Sequence, residues 1–253
     1  MTSQSVDLGI VFALSIEAGC FVDMLSQVRV TRGDGFTVRR GRCGERDVVL
    51  VESGPGSKRA TKTANAVIDA YRPRLVVSSG FGGGLDLGLQ RFDLIVAESL
   101  VDIDKNEITL DPIAIVPWLA EVNNLHRGRL LTVDRIVRLS EDKRQLGEKH
   151  KALAVDMESF AVAEVCRERQ VPILVVRAIS DAVDDELPPD IGYLLSRKTF
   201  AGQLGAAVGS IFRRPGAAKD LFHLHQTALE ASGRLAKFFS KLCIHDAPPI
   251  FPP

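Results

Sequence analysis

The chain alternates between short, continuous apolar runs and longer segments in which apolar positions recur at helical spacing. Residues 7–14 (DLGIVFAL) form one such run, the pattern of a strand buried on both faces. Ser15 is placed to cap a helix extending to about Val28. A polar hairpin follows, TVRRG and then RDVVLVES about a turn at Cys43-Gly44, and Gly54-Pro55-Gly56 leads into a helix over Ser57–Tyr71 that Pro73 ends. Strands are expected at Arg74–Ser79, before a glycine run at 80–84, and at Phe92–Glu98, Gly128–Val133 and Ala152–Asp156. A helix capped by Ser140, with Glu141 and Asp142 favouring its dipole, lies between the last two. Met157–Glu168 reads as helix, Val171–Ser180 (VPILVVRAIS) as another buried strand, and Arg197–Phe212 and Ala217–Leu242 as C-terminal helices.

Apolar strands interleaved with helices predict an α/β fold: a three-layer α/β/α sandwich about a mixed, mostly parallel sheet. No linker-like composition divides residues 1–245, which read as a single domain, and the proline-rich residues 246–253 (DAPPIFPP) read as a loose tail.

Composition narrows the function. Lys plus Arg and Asp plus Glu both number 32, a formal net charge of zero. With twelve Phe, two Tyr and one Trp and no basic stripe between them, nucleic-acid binding is not expected. No apolar run reaches the roughly 18 residues of a membrane span, and the N-terminus lacks the order of a secretion signal, so we expect a cytoplasmic protein without integral membrane contact. Cys20, Cys43, Cys166 and Cys243 are far apart, and His223 and His225 point in different directions on a helix. Neither a metal nor another cofactor is expected.

Open α/β sheets bind ligands beyond the carboxyl ends of their strands. Four such ends carry candidate chemistry: Glu17, the run Gly80–Gly84, Asp156-Met157-Glu158, and Ser180-Asp181. The glycine run offers close backbone approach and free amides. It is neither a dinucleotide fingerprint, since Leu85 stands where the third glycine would fall, nor a phosphate loop with Gly-Lys-Ser/Thr. Each feature also has a plain structural reading, as a tight turn or as first-turn helix acids. Three acids at three strand ends of one sheet suit acid/base work on a polar small molecule.

The segments LGIVFALSIE (8–17), SGFGGGL (79–85), AVDMESFAVA (154–163) and VVRAISDA (175–182) resemble the nucleoside phosphorylase/nucleosidase superfamily. Within it they are most similar to 5′-methylthioadenosine/S-adenosylhomocysteine nucleosidases. The resemblance implies that Asp181 protonates N7 of a leaving purine, placed by Ser180. Glu158 and Met157 hold the ribose, Glu17 activates water, Gly80, Phe81 and Gly82 line the site, and Ile136 and Val137 line the base pocket. It implies a small-molecule nucleoside as the partner, and a homodimer or larger assembly. A buried or like-charged setting must keep Asp181 protonated.

Phe81 stands where the family usually has the Ser or Thr that helps bind phosphate, so water is favoured over phosphate as nucleophile. Phosphorolysis stays an alternative, as does removal of adenine from an adenosyl-hopane lipid, which a shortened segment between Ile103 and His126 would suit. A further alternative, of another class, is a non-catalytic nucleoside-binding module. The stripe Leu221, Leu224, Ala228, Leu235, Phe238 and Leu242 with Arg234, Lys237 and Lys241 leaves peripheral membrane contact open, against packing on the domain itself.

Overall fold

The computed structural model describes residues 5–33, 35–112, 117–189, 191 and 217–244. The expected helix at 197–212 and the tail at 246–253 lie outside the described residues.

Strand β1 (Leu8–Phe12) is buried along its whole length and pairs in parallel with β4 (Arg46–Glu52) and β5 (Leu75–Gly84). β3 (Phe36–Cys43) pairs antiparallel with β4, and β2 (Ser26–Gly33) antiparallel with β3, exposed at the edge. On the other side β5 pairs with β10 (Ile173–Asp181), β10 with β6 (Leu94–Asp102), and β6 with β8 (Leu125–Thr132). β8 pairs with the short β9 (Ala154–Asp156), and β9 returns to β5. Five strands thus close into a ring on which β1, β4, β3 and β2 form a wing, while β7 (Glu107–Thr109) pairs with β6. The sheet is mixed, with parallel pairing through its centre.

Alternation along each strand builds two apolar layers. Val11, Val49, Val51, Val76, Ile95 and Val175 face α2 (Ser57–Tyr71) and α4 (Ser159–Glu168). Ile10, Phe12, Leu50, Val77, Val96 and Val176 face α1 (Ser15–Val22) and α5 (Ala217–Ile244). This is the expected three-layer sandwich. The spacing of Ala60, Thr63, Ala64, Val67 and Ile68 gives α2 one buried face, whereas α4 buries nearly every residue from Phe160 to Cys166. A third small cluster packs Leu85, Val101, Leu131 and Val155 near α3 (Ser140–His150).

Expected boundaries differ in several places. The first helix ends at Val22 and the chain turns back as β2, because Val28 and Val30 alternate with polar residues along an edge that β3 can pair. The glycine run is strand, not loop: Phe81 and Gly82 pair with Ala178 and Ile179, and Gly83 and Gly84 with Val155 and Ala154. Helix α4 begins at Ser159, with Glu158 outside it as the cap residue. Ser15 and Ser140 do not cap, each being the first residue of its helix.

The apolar face of α5 packs on its own domain. Leu235, Phe238, Phe239 and Leu242 are buried against the sheet and α1. Phe239 meets Phe21 at 5.1 Å and Phe12 edge-on at 5.9 Å between ring centroids. Cutting Phe239 to Ala leaves a cavity among β1, α1 and α5. It should cost about 3–5 kcal/mol in a urea titration of unfolding; an effect below about 1 kcal/mol would mean that α5 is not integral to the fold.

Candidate active site

Glu17 is the third residue of α1, and its carboxylate turns back onto the chain entering that helix. Oε2 accepts the N–H groups of Leu14 at 2.8 Å and Ala13 at 3.0 Å, and Oε1 accepts that of Phe81 at 2.9 Å. Three of roughly four lone-pair sites are used, which leaves one on Oε1. Burial raises the affinity of Glu17 for a proton, and the three backbone donors and the charge of Arg177 oppose that rise. Gly80 makes this approach feasible. Its φ is +152°, and a Cβ there would lie 2.7 Å from Glu17 Oε1.

Asp181 closes β10, where a register irregularity sets it opposite Gly83. Ser180 Oγ donates to its Oδ1 at 2.6 Å. Lys143 Nζ, from the buried side of α3, stands 2.5 Å from Oδ2. Burial raises the proton affinity of Asp181 above that of an ordinary carboxylate, and it outweighs the opposing pull of Lys143 and Ser180. Sequence reasoning called for burial or a neighbouring negative charge at this position. The structure has burial and, unexpectedly, a cation.

Glu158 takes one backbone donor, the N–H of Gly56 at 2.7 Å, so the Gly-Pro-Gly turn holds it from across the sheet. Burial, and next the negative charge of Asp156, push its carboxyl up to about 7. Asp156 accepts Nε and Nη2 of Arg177 at 2.9 and 2.7 Å, Thr132 Oγ1 at 2.7 Å and the N–H of Ser159 at 3.0 Å. Arg177 also donates to Ser78 and Ser159.

These groups surround a cavity of about 390 Å³. Glu17, Phe81, Gly82, Ile136, Val137, Met157, Glu158, Ser180 and Asp181 all line it. Gly80 does not; it lies behind Glu17. Sequence reasoning missed Pro55, Leu187 and Ile191, and also Leu224, His225, Thr227 and Ala228 of α5, which line an apolar part of the wall. It missed Lys143 and Arg177 as well. A lysine inside a polar helix carries no periodic signal, whereas an arginine within the apolar run VPILVVRAIS was a visible anomaly.

The arrangement sets two carboxyl groups along one strand: Glu17 at Gly80 and Phe81, Asp181 at Gly83. Two or three residues, roughly 7–10 Å of strand, lie between these two seats.

A family model described as the phosphorylase superfamily matches residues 7–208. The chain belongs to that superfamily. It is 26% identical over 200 residues to a 5′-methylthioadenosine/S-adenosylhomocysteine nucleosidase of Glaesserella parasuis, covering 71% of this chain and 87% of that one. Its fold matches a Helicobacter pylori nucleosidase mutant solved with 5′-methylthioadenosine in its active site, at TM-score 0.71 and 21% identity, over 94% of this chain and 100% of that one. It also matches the futalosine hydrolase of Helicobacter pylori, at TM-score 0.70 and 22% identity, over 94% and 98%.

Because Glu158 binds its proton more tightly folded than unfolded, its contribution to stability is present below about pH 4.5 and is lost as pH rises through about 7. Glu158→Gln should therefore raise the melting temperature relative to wild type at pH 8, with the gap closing by about pH 4.5. In contrast, Gly80→Ala forces Glu17 off the Phe81 amide and should lower base-release activity at least about tenfold while the protein stays folded by circular dichroism.

Proposed function

We propose that the protein hydrolyses the N-glycosidic bond of a 5′-substituted adenosine, of the 5′-methylthioadenosine/S-adenosylhomocysteine type, releasing adenine and the 5′-substituted ribose. The observation carrying this reading is the seat of Glu17: its carboxylate occupies the Phe81 amide and the space over Gly80. A phosphate nucleophile in the glycine run would need those donors and would face that negative charge. Water needs only the remaining lone pair of Oε1.

Cleavage builds positive charge on the ribose and negative charge on the base. Asp181 supplies the proton to N7, oriented by Ser180. Glu158, ionised above about pH 7, accepts the ribose hydroxyls and opposes the cationic sugar with Met157 beside it. Glu17 takes the proton of the attacking water, and Ile136 and Val137 pack on the base. The relatives reported above support the substrate class.

The apolar wall formed by Leu187, Ile191, Leu224 and Ala228 favours an apolar 5′ group and supports a second reading, in which that group is large, as in an adenosyl-hopane lipid. No described helix is long and apolar enough to cross a membrane. We place the enzyme in the cytoplasm as a homodimer or larger assembly, which light scattering tests.

Chromatography of free base from 5′-methylthioadenosine, with and without phosphate, is the deciding assay. Equal adenine in both supports hydrolysis, and adenine only with phosphate makes the protein a phosphorylase. Activity confined to long 5′-alkyl analogues points to the lipid substrate. Asp181→Asn should reduce kcat by about 10²–10⁴. Thermal stabilisation by the nucleoside with no release from any of these substrates would instead leave a binding module.

A further inference from the structure

If Asp181 is the general acid, as proposed above, it needs a proton at the pH of the reaction, and the structure stands a lysine where that proton can be kept. Lys143 is wholly buried and does not line the cavity; it lies behind Asp181. Its Nζ is 2.5 Å from Asp181 Oδ2 and 2.8 Å from the carbonyl oxygens of both Ala182 and Asp185. An ammonium has three N–H bonds, and here there are three acceptors. A neutral amine has two N–H bonds and one lone pair. With the two N–H bonds kept on the carbonyls, the lone pair is left to accept from a protonated carboxyl. The pair is a close ion contact rather than an aligned hydrogen bond, and it can therefore carry its proton on either partner while both carbonyl bonds are kept.

The acceptors are rigidly held. Asp185 N–H donates to Ala182 O at 3.0 Å, Ala182 N–H donates to Asp185 Oδ2 at 2.7 Å, and Arg91 Nε donates to the same Oδ2 at 2.6 Å. Beyond them Arg144 pairs with Asp184 at the surface. Arg135, His225, Glu17, Asp156 and Glu158 are the other charged or titratable groups on the cavity wall.

We propose that Lys143 is a positioning residue that stores the proton Asp181 delivers to the leaving base. The Lys143 N–H bond breaks as an Asp181 O–H bond forms; that bond breaks in turn as the proton joins N7 and the C1′–N9 electron pair passes to the purine. Asp181 ends as the anion it began as, and Lys143 as a neutral amine that recovers a proton from solvent after product release. The attacking water gives its hydroxyl to C1′ and its proton to Glu17. Burial favours the neutral carboxyl and Lys143 opposes it, so the two placements of the proton are brought toward balance.

The test compares wild type, Lys143→Arg, Lys143→Met and Asp181→Asn on 5′-methylthioadenosine and on 4-nitrophenyl 5-methylthioriboside, whose leaving group departs as a stable anion. Arginine keeps the charge but does not release a proton. Lys143→Arg should therefore lose about 10²–10⁴ in kcat on the nucleoside and much less on the nitrophenyl riboside. In Lys143→Met the carboxyl must take its proton from solvent, and the alkaline limb of kcat on the nucleoside should move to lower pH than in wild type. The wild-type limb itself should lie above about pH 8, nearer a lysine than a carboxylic acid. The proposal is overturned if Lys143→Arg restores the wild-type rate and profile, if both Lys143 variants lose both substrates equally, or if the wild-type limb lies at the carboxylic range. Should Lys143→Met fail to fold, the arginine variant and the wild-type profile decide. Asp181→Asn with full nucleoside activity, or a wild type inert on both substrates, would sink the reading of the site itself whatever Lys143 does.

Discussion

Arg177 is 1% exposed, set in the apolar part of β10 ahead of Ser180 and Asp181. Its guanidinium and the carboxylate of Asp156 join β10 to β9, and their remaining hydrogen bonds reach Ser78 on β5, Thr132 on β8 and Ser159 at the start of α4. A buried ion pair is tolerable only when every donor and acceptor is met, and removing one partner typically costs about 3–5 kcal/mol. Here the satisfied network holds the ring of strands in register at the end where the cavity opens. Asp156 also occupies an N-terminal amide of α4, which sets Glu158 as the residue just before that helix and aims it at the Gly56 amide.

The same pair sets the electrostatics of the cavity. Arg177 draws Glu17 and Glu158 toward ionisation, while Asp156 pushes Glu158 the other way. The three candidate acids differ in their support: Glu17 has three backbone donors, Glu158 one, and Asp181 a hydroxyl and an ammonium. Environments that differ in this way let chemically similar groups serve as base, ribose holder and acid. The glycine run supports this by absence of side chain: at Gly80 it admits the Glu17 carboxyl, and at Gly83 a Cβ would sit 3.2 Å from Asp181 Oδ2.

Cysteine plays no part in this chemistry among the described residues. Cys43, Cys166 and Cys243 are buried, and burial pushes the Cys166 thiol up to about 12, where it stays protonated.

Much of this was legible in the residues. The apolar runs marked β1 and β10 because a strand covered on both faces has no polar side to show. The acids at strand ends were candidates because a parallel sheet leaves its carboxyl edge free for ligands. Nine of the ten site residues named from sequence line one cavity. What sequence could not supply were contacts made across long separations. Gly80–Gly84 looked like a loop because glycine disfavours strands on its own, yet β9 and β10 pair with it from either side and leave little space for larger residues. Lys143 is polar in a polar helix, and only folding carries it 0% exposed to Asp181. Leu224 and Ala228 looked like an ordinary packing stripe until α5 crossed the cavity. Local pattern and composition determined the layers and the identity of the acids, since burial and period are properties of neighbouring residues. The proton affinity of each acid was decided by the tertiary structure, because it depends on charges and donors brought close from distant parts of the chain.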